Sequence, residues 1–508
     1  MIYFVPAWWK TNEWVEDDRP WYNERSRTET DDTVKQVQLF HRNNICDYLL
    51  VVLNYAPNLR HFLHRQSIFR AKYWSLFDSI QCIASTKPNM VSYRSLNWPE
   101  DAEFVYSMFA VIVMVKGKKY AQIDFGEYGN MTQISFFDKD KIVEINNYDD
   151  RGFVSSTISY EKGRKLQKFY DEAGTWKICI VNDGEVLINP KANFYVISGV
   201  FYTFNELRYS DMDALITEVF FSFIYNTQPS DIFCAAASNE HSNVINYLLR
   251  ERKLIYSVFG GRLCSEDDLK DAKCIIADSE ENYKLLIENK NLKKNYIVDL
   301  TPYDTRVDRN ISNRLRVQNI LIPVDLLKWE KLYEIVANIA PYLVKNDNAR
   351  IHFYTRSSDI KIKNEILEYV GKVLKANGYP EEWATSRFED KVKFSVDRCI
   401  NEIQTNKCLK EQRLFLDLAE EPDLFLQISC ISLGIPQILS ISNKYMKNYF
   451  NGRVNRSIKR LDKDVSYYLE NLANWNVAMV NSYKLGKEFS KDVLVEKWKG
   501  VIRRVGRN

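Results

Sequence analysis

The chain has 508 residues, 45% hydrophobic and 27% charged, the make-up of a globular protein with more than one core. Seventy Lys and Arg against 67 Asp and Glu leave a dispersed net charge of +3, which excludes a nucleic-acid footprint. Nine scattered cysteines without a C-x-x-C pair argue against a zinc site or a disulfide framework, and they fit a reducing, cytoplasmic setting.

Residues 2–5 (I-Y-F-V) and 49–53 (L-L-V-V-L) read as buried strands, with helical spacing of Val34, Val37 and either Phe40 or His41 between them. The start lacks a basic segment and Pro6 breaks its apolar run, so no signal peptide is expected. The apolar stretch 104–115 is too short to span a membrane. From 102 the character changes to short strands separated by turn signals: K-G-K at 116–118, Y-G-N at 128–130, D-R-G at 150–152, E-K-G at 161–163, E-A-G at 172–174 and N-D-G at 182–184. That spacing predicts an antiparallel meander.

Alternating helices and strands resume after 200, and a second alternating unit begins near Val317. Strands are expected at 318–323, 350–355, 391–396, 412–418, 437–441 and 477–480. Leu494, Trp498, Val501 and Val505 place one apolar stripe on a closing helix whose other face carries Lys497, Lys499, Arg503, Arg504 and Arg507. The expected fold class is α/β, with two Rossmann-like doubly wound domains and an inserted antiparallel β-meander. The expected boundaries are 1–101 and 199–315 for the first domain, 102–198 for the meander, 316–482 for the second domain, and 483–508 for a helix returning to the first.

Residues 421–436 (E-P-D-L-F-L-Q-I-S-C-I-S-L-G-I-P) resemble the donor-sugar stretch of retaining glycosyltransferases of the two-Rossmann (GT-B) type, roughly E-x-F-G-x-x-x-x-E-A-x-x-x-G-x-P. With Gly434 and Pro436 in register, the first glutamate is Glu421 and the second has become Ser429. The Phe-Gly pair has become Asp423-Leu424, which removes the glycine that lets amides approach a diphosphate. The glycine-rich turn expected after 351–355 reads R-S-S-D, leaving Arg356 as a lone cation that meets either an anion or solvent. Arg356, Glu421, Ser429 and Gly434 therefore mark a degenerate donor pocket. Asp423 is also a candidate N-cap.

Several longer strings are more specific. They are Y-F-V-P-A-W at 3–8, N-E-W at 12–14, R-P-W-Y at 19–22, D-D-T-V at 31–34, V-L-N-Y-A-P-N-L-R-H-F-L-H-R at 52–65 and Y-W-S-L-F-D at 73–78. L-N-W-P-E at 96–100, D-D-R-G-F-V-S-S at 149–156 and T-P-Y-D-T-R at 301–306 complete the set. Together they resemble the first family of accessory Sec system proteins of Gram-positive bacteria, a non-catalytic relative of the GT-B enzymes. The resemblance implies no catalytic residues, no cofactor and no metal. It implies a cytoplasmic protein, with peripheral contact at the inner membrane face as a candidate. It further implies three partners: a glycosylated serine-rich repeat adhesin, sister accessory Sec proteins, and the accessory SecA motor.

Trp8, Trp9, Trp14, Trp21 and Tyr22 crowd the segment after the first strand, where a doubly wound sheet gathers its ligand loops. They are candidates for glycan or peptide binding, with core packing the alternative for each ring. His61 and His64 share a helical face beside Arg60 and Arg65, with no partner carboxylate evident and no metal site expected. The competing function is an active GT-B glycosyltransferase that modifies Ser or Thr of the adhesin from a nucleotide-sugar donor.

Overall fold

Apolar runs that do not alternate with polar residues need cover on both faces, which a parallel sheet flanked by helices supplies. The computed structural model describes residues 1–8, 14–15, 30–108, 110–126, 128–161, 163–182, 184–260, 262, 264–292, 296–357, 359, 361–388 and 391–507, and it contains two such sheets. They belong to two compact units: Met1–Ala277 with Leu285–Val298 and Gly500–Asn508, and Asp278–Lys284 with Asp299–Lys499.

In the first unit seven strands run in the order Tyr296–Asp299, Cys274–Ala277, Lys253–Val258, Ile232–Ala236, Ile2–Val5, Tyr48–Val52 and Tyr73–Ser75. Ile2–Val5 and Ile232–Ala236 are wholly buried and pair in parallel, Ile2 opposite Ile232. The winding reverses between these two strands. In the second unit the order is Phe394–Arg398, Ala349–Thr355, Gln318–Pro323, Gln412–Asp417, Gln437–Leu439 and Gly452–Val454. This is the doubly wound 3-2-1-4-5-6 arrangement, with its reversal between the third and fourth strands of that order. Its core gathers Ile320, Ile322, Phe353, Leu414 and Leu416 under helix Trp329–Lys345.

The expected strand at 477–480 is instead part of helix Leu472–Gly486. Val477 and Val480 are exposed on it while Trp475, Ala478 and Leu485 are buried, so helical spacing overrode a locally β-branched stretch. On the closing helix Lys491–Arg507, Leu494, Trp498, Val501 and Val505 are each 1% exposed. Within the first unit its end is held by Arg504 over the Tyr296 ring and by Lys253 donating to the Gly506 carbonyl. No helix among the described residues is long and apolar enough to cross a membrane.

Between Tyr73–Ser75 and Ile232–Ala236 the first unit carries the meander, a ten-stranded antiparallel sheet running from Ala102–Tyr106 to Arg208–Tyr209. Its hairpins follow turn chemistry. Lys116 and Gly117 both have positive φ between the paired residues Val115 and Lys118, the conformation of a type I′ turn. Lys139 and Asp140 make the same turn without any glycine to announce it.

The meander is tied to its parallel sheet by buried charge. Arg60, on helix Leu59–Arg65, meets Asp149 at 3.3 Å and also pairs with Asp150; Arg151 bonds Asp149 at 2.6 Å and Asp78 at 2.8 Å. The Arg60 partners that the sequence did not reveal thus lie about ninety positions away, at the start of the strand-linking turn 149–152. Asp150 also accepts from the backbone N–H of Arg60 at 2.9 Å and of His61 at 3.3 Å, capping a helix whose own Asn58 side chain does not cap it. Gly152 closes the turn at φ 88°, where a Cβ would strike the Asn89 carbonyl at 2.8 Å.

Replacing Arg60 with Met should lower the unfolding free energy of the first unit by about 3–5 kcal/mol, because buried Asp150 would lose its guanidinium partner and Asp149 would keep only Arg151. Urea unfolding followed by tryptophan fluorescence measures this, and Arg60→Lys should rescue little because it lacks the guanidinium fork.

Candidate functional site

At the carboxyl ends of the second sheet, the position expected for a donor diphosphate is built by three carboxylates and one arginine. Asp423 lies just before helix Leu424–Leu433 and accepts from the Leu426 N–H at 2.9 Å. The same side chain pairs with the Arg356 guanidinium at 2.8 Å, and both are largely buried. Arg356 also bonds the Tyr354 hydroxyl at 3.1 Å and lies over the Phe425 ring. The lone cation of the sequence is therefore neither a surface charge nor open to an anion: it is neutralised from within.

Further amides there are engaged by carboxylates. Asp325, after strand Gln318–Pro323, accepts from the Arg356 N–H at 2.8 Å and from the Thr355 hydroxyl. Asp417, at the end of strand Gln412–Asp417, accepts from Ala419 N–H at 3.0 Å and Asp423 N–H at 2.9 Å. Burial, reinforced by the charge of Asp423, pushes the Asp417 carboxyl up to about 7 against those two hydrogen bonds. The Arg356 guanidinium and the Arg356, Ala419, Asp423 and Leu426 amides, groups of the kind that grip a phosphate, are taken by the chain's own carboxylates.

The other expected donor residues do different work. Glu421 is exposed beside Glu420, which pairs with Lys328. Ser429 donates to the Phe425 carbonyl one turn back at 2.7 Å, so its hydroxyl is spent within the helix. Gly434 ends that helix at φ 69°, and a Cβ there would strike Met479 at 2.6 Å. The structure brings together Arg356 and Asp423, with Glu421 two residues away. Ser429 and Gly434 belong to the body and far end of the helix. Asp325 and Asp417 were missed; the available signal was a lone aspartate closing or following an apolar strand.

In the first unit, Trp8 is buried, packed against Phe62 with ring centroids 4.8 Å apart and the planes tilted by 56°, and donates its Nε1–H to Asp31 at 3.0 Å. Asp31 caps helix Asp32–Asn43, and with Asp32 it is held by Arg262 at 3.2 and 2.7 Å. Trp14 donates to Asp213 at 2.6 Å and lines a cavity with Phe77, Gln167 and Glu240. Trp9, Trp21 and Tyr22 lie outside the described residues. His61 stacks on Tyr128 at 5.0 Å and His64 bonds the same tyrosine's hydroxyl at 2.9 Å. No group of three or more metal-ligating side chains occurs among the described residues.

The family model for the accessory Sec system protein Asp one matches residues 1–505. The chain belongs to that family. An accessory Sec system protein Asp one of Streptococcus gordonii is 30% identical, with 98% of each chain covered. A crystal structure of accessory secretory proteins 1, 2 and 3 of Streptococcus pneumoniae contains a chain 27% identical, with both chains wholly covered and a TM-score of 0.83. The pneumococcal O-GlcNAc transferase GtfA, solved with UDP and GlcNAc, shares the GT-B fold at a TM-score of 0.73 and 12% identity, covering 100% of this chain and 99% of that one. The family places this chain in accessory secretion, and the fold is that of the two-Rossmann transferases.

Asp423→Ala should destabilise the second unit by about 3–5 kcal/mol, mainly by leaving Arg356 buried without a partner. Phosphate or UDP should then raise the melting temperature of the variant and not of the wild type, read by differential scanning fluorimetry. A second outcome concerns pH. The folded state keeps a proton on Asp417 that the unfolded chain releases near pH 4, so this group's contribution is full below about pH 4 and declines towards pH 7. Thermal melts of Asp417→Asn should show a flatter pH dependence than wild type across that window.

Proposed function

We propose that this protein is a catalytically silent, transferase-shaped scaffold of accessory secretion. Its cargo is a glycosylated serine-rich repeat adhesin, which it helps to export together with sister accessory Sec proteins and the accessory SecA motor. The observation that carries this reading is the donor position of the second unit: Asp423 occupies both the helix N-terminus and the arginine that a diphosphate would need. Family membership and a relative solved together with accessory secretory proteins 2 and 3 support the sister accessory proteins as partners.

The meander offers a surface for an extended chain. Ala102–Tyr106 is its edge strand, pairing on one side only, with Val105 and Tyr106 exposed. Ser107 N–H bonds Ala110 across the hairpin, so by alternation the backbones of Phe104 and Tyr106 face the open edge. A serine-rich segment adds there as a further strand.

Calorimetry with UDP-N-acetylglucosamine should show no binding, and an assay for donor hydrolysis and transfer to a serine-repeat peptide should show no turnover. Micromolar donor affinity with turnover would replace this reading by the transferase one. Co-expression with the two sister proteins should give a complex that retains the glycosylated adhesin on size-exclusion chromatography.

A further inference from the structure

Two thiols of the second unit meet where the chain passes from a strand into a surface helix. Cys399 directly follows strand Phe394–Arg398, its N–H bonded to the Thr355 carbonyl at 2.9 Å, and Cys408 lies on helix Glu402–Lys410. The Cys408 thiol donates to Asp397 Oδ2 at 3.5 Å and is in hydrogen-bond contact with the Cys399 thiol. Asp397 and Cys399 are two residues apart and project to the same side of the extended chain, so Cys408 reaches both. His352, on the neighbouring strand Ala349–Thr355, brings its Nδ1 to 2.6 Å from the same Asp397 oxygen. Cys399 is buried and Cys408 half-buried, so one sulfur of the pair is open to solvent.

Contact sets this pair apart from a second one that shares a face. Cys234 and Cys274 both pair with Ile255, which stands on the strand between them. Two strand spacings, about 9–10 Å, put them beyond the reach of a disulfide. Cys399 and Cys408 already touch. The contact with Cys399, burial and the Asp397 carboxylate together hold the Cys408 thiol far above its ordinary range, so two protonated thiols are the resting form.

We propose that Cys399 and Cys408 are an oxidant-sensitive dithiol that closes to a reversible disulfide on reaction with a hydroperoxide. Cys408, the more exposed sulfur, attacks the O–O bond. An S–O bond forms, the O–O bond breaks, and Cys408 becomes a sulfenic acid while its proton passes through Asp397 to the departing oxygen. Cys399 then attacks the Cys408 sulfur; the S–S bond forms, the S–O bond breaks, and water leaves with the Cys399 proton. The two thiols lose two electrons and the hydroperoxide gains them. The bridge ties helix Glu402–Lys410 to the strand end beside the Arg356–Asp423 pair, since Thr405 of that helix meets the Tyr354 hydroxyl at 2.9 Å and the same hydroxyl accepts from Arg356.

The test treats the folded full chain with hydrogen peroxide, blocks free thiols and maps unreduced tryptic peptides by mass spectrometry. Trypsin cuts after Arg398, Lys407 and Lys410, so the two cysteines fall in separate peptides that only the bridge can hold together. The joined pair 399–407 with 408–410 should appear in the wild type, vanish on treatment with dithiothreitol, and accompany a melting temperature raised by a few degrees. Absence of that pair, a yield no greater than links to the remaining cysteines, or a bridge formed only after urea unfolding would overturn the proposal. In Cys399→Ser the reaction should stop at a sulfenic acid on Cys408, trapped by dimedone; an adduct found elsewhere and not on Cys408 would overturn the order of attack. Asp397→Asn should oxidise at least about threefold faster at pH 7, because the thiolate population rises more than its nucleophilicity falls. An unchanged rate would remove Asp397 from the mechanism.

Discussion

Five charges joining Arg60 and Arg151 to Asp78, Asp149 and Asp150 hold the first unit in register. They come from a helix, a strand-to-helix junction and a meander turn that lie far apart in the chain. Taking this many ions from water is costly, and it is tolerable only when every charge has a fitted partner. The odd negative charge is met by the N-terminus of helix Leu59–Arg65, whose amides bond Asp150. The network thus specifies one docking of the meander on its parallel sheet. The cavity lined jointly by Gln167, Trp14 and Glu240 exists only in that docking.

A single device recurs through both units. The N-terminus of helix Asp32–Asn43, after the first strand, is filled by Asp31; that of Leu59–Arg65 by Asp150; that of Leu424–Leu433 by Asp423. In a nucleotide-binding enzyme of this architecture, such termini after parallel strands receive phosphate. Here the anion is covalently part of the chain, and arginines 262, 60 and 356 complete the pairing from the other side. An internal carboxylate brings no translational entropy loss, so a free phosphate competes poorly against it.

The sequence was most legible where a pattern has one physical meaning. Apolar strands, turn dipeptides with glycine and the apolar stripe of Lys491–Arg507 each point to one local structure. The Lys139-Asp140 turn was hidden because non-glycine residues carry the positive φ. Helix Leu472–Gly486 was hidden because Val477 and Val480 face outward, so β-branching masked a helical period. At the donor position, Asp423 was legible as a cap from its place before an apolar run. Its pairing with Arg356 spans sixty-seven positions and needed the fold. Three of the strings that carried the resemblance meet in the same long-range contacts: D-D-R-G, Y-W-S-L-F-D and L-R-H-F-L-H-R are the parts of one ion network.

Measured against the GT-B donor stretch that residues 421–436 resemble, a serine at 429 and an aspartate at 423 have unequal consequences. Removing a sugar-binding glutamate weakens donor binding but leaves the diphosphate cradle able to accept ligands. Placing an aspartate on the helix N-terminus, within 2.8 Å of Arg356, converts that cradle into a structural joint that contributes to folding. Once the joint forms, freeing Arg356 and the helix N-terminus for an anion requires breaking a buried ion pair, a change costing about 3–5 kcal/mol before any ligand contact is made. A glutamate placed at Ser429 alone would therefore leave the Arg356–Asp423 joint intact.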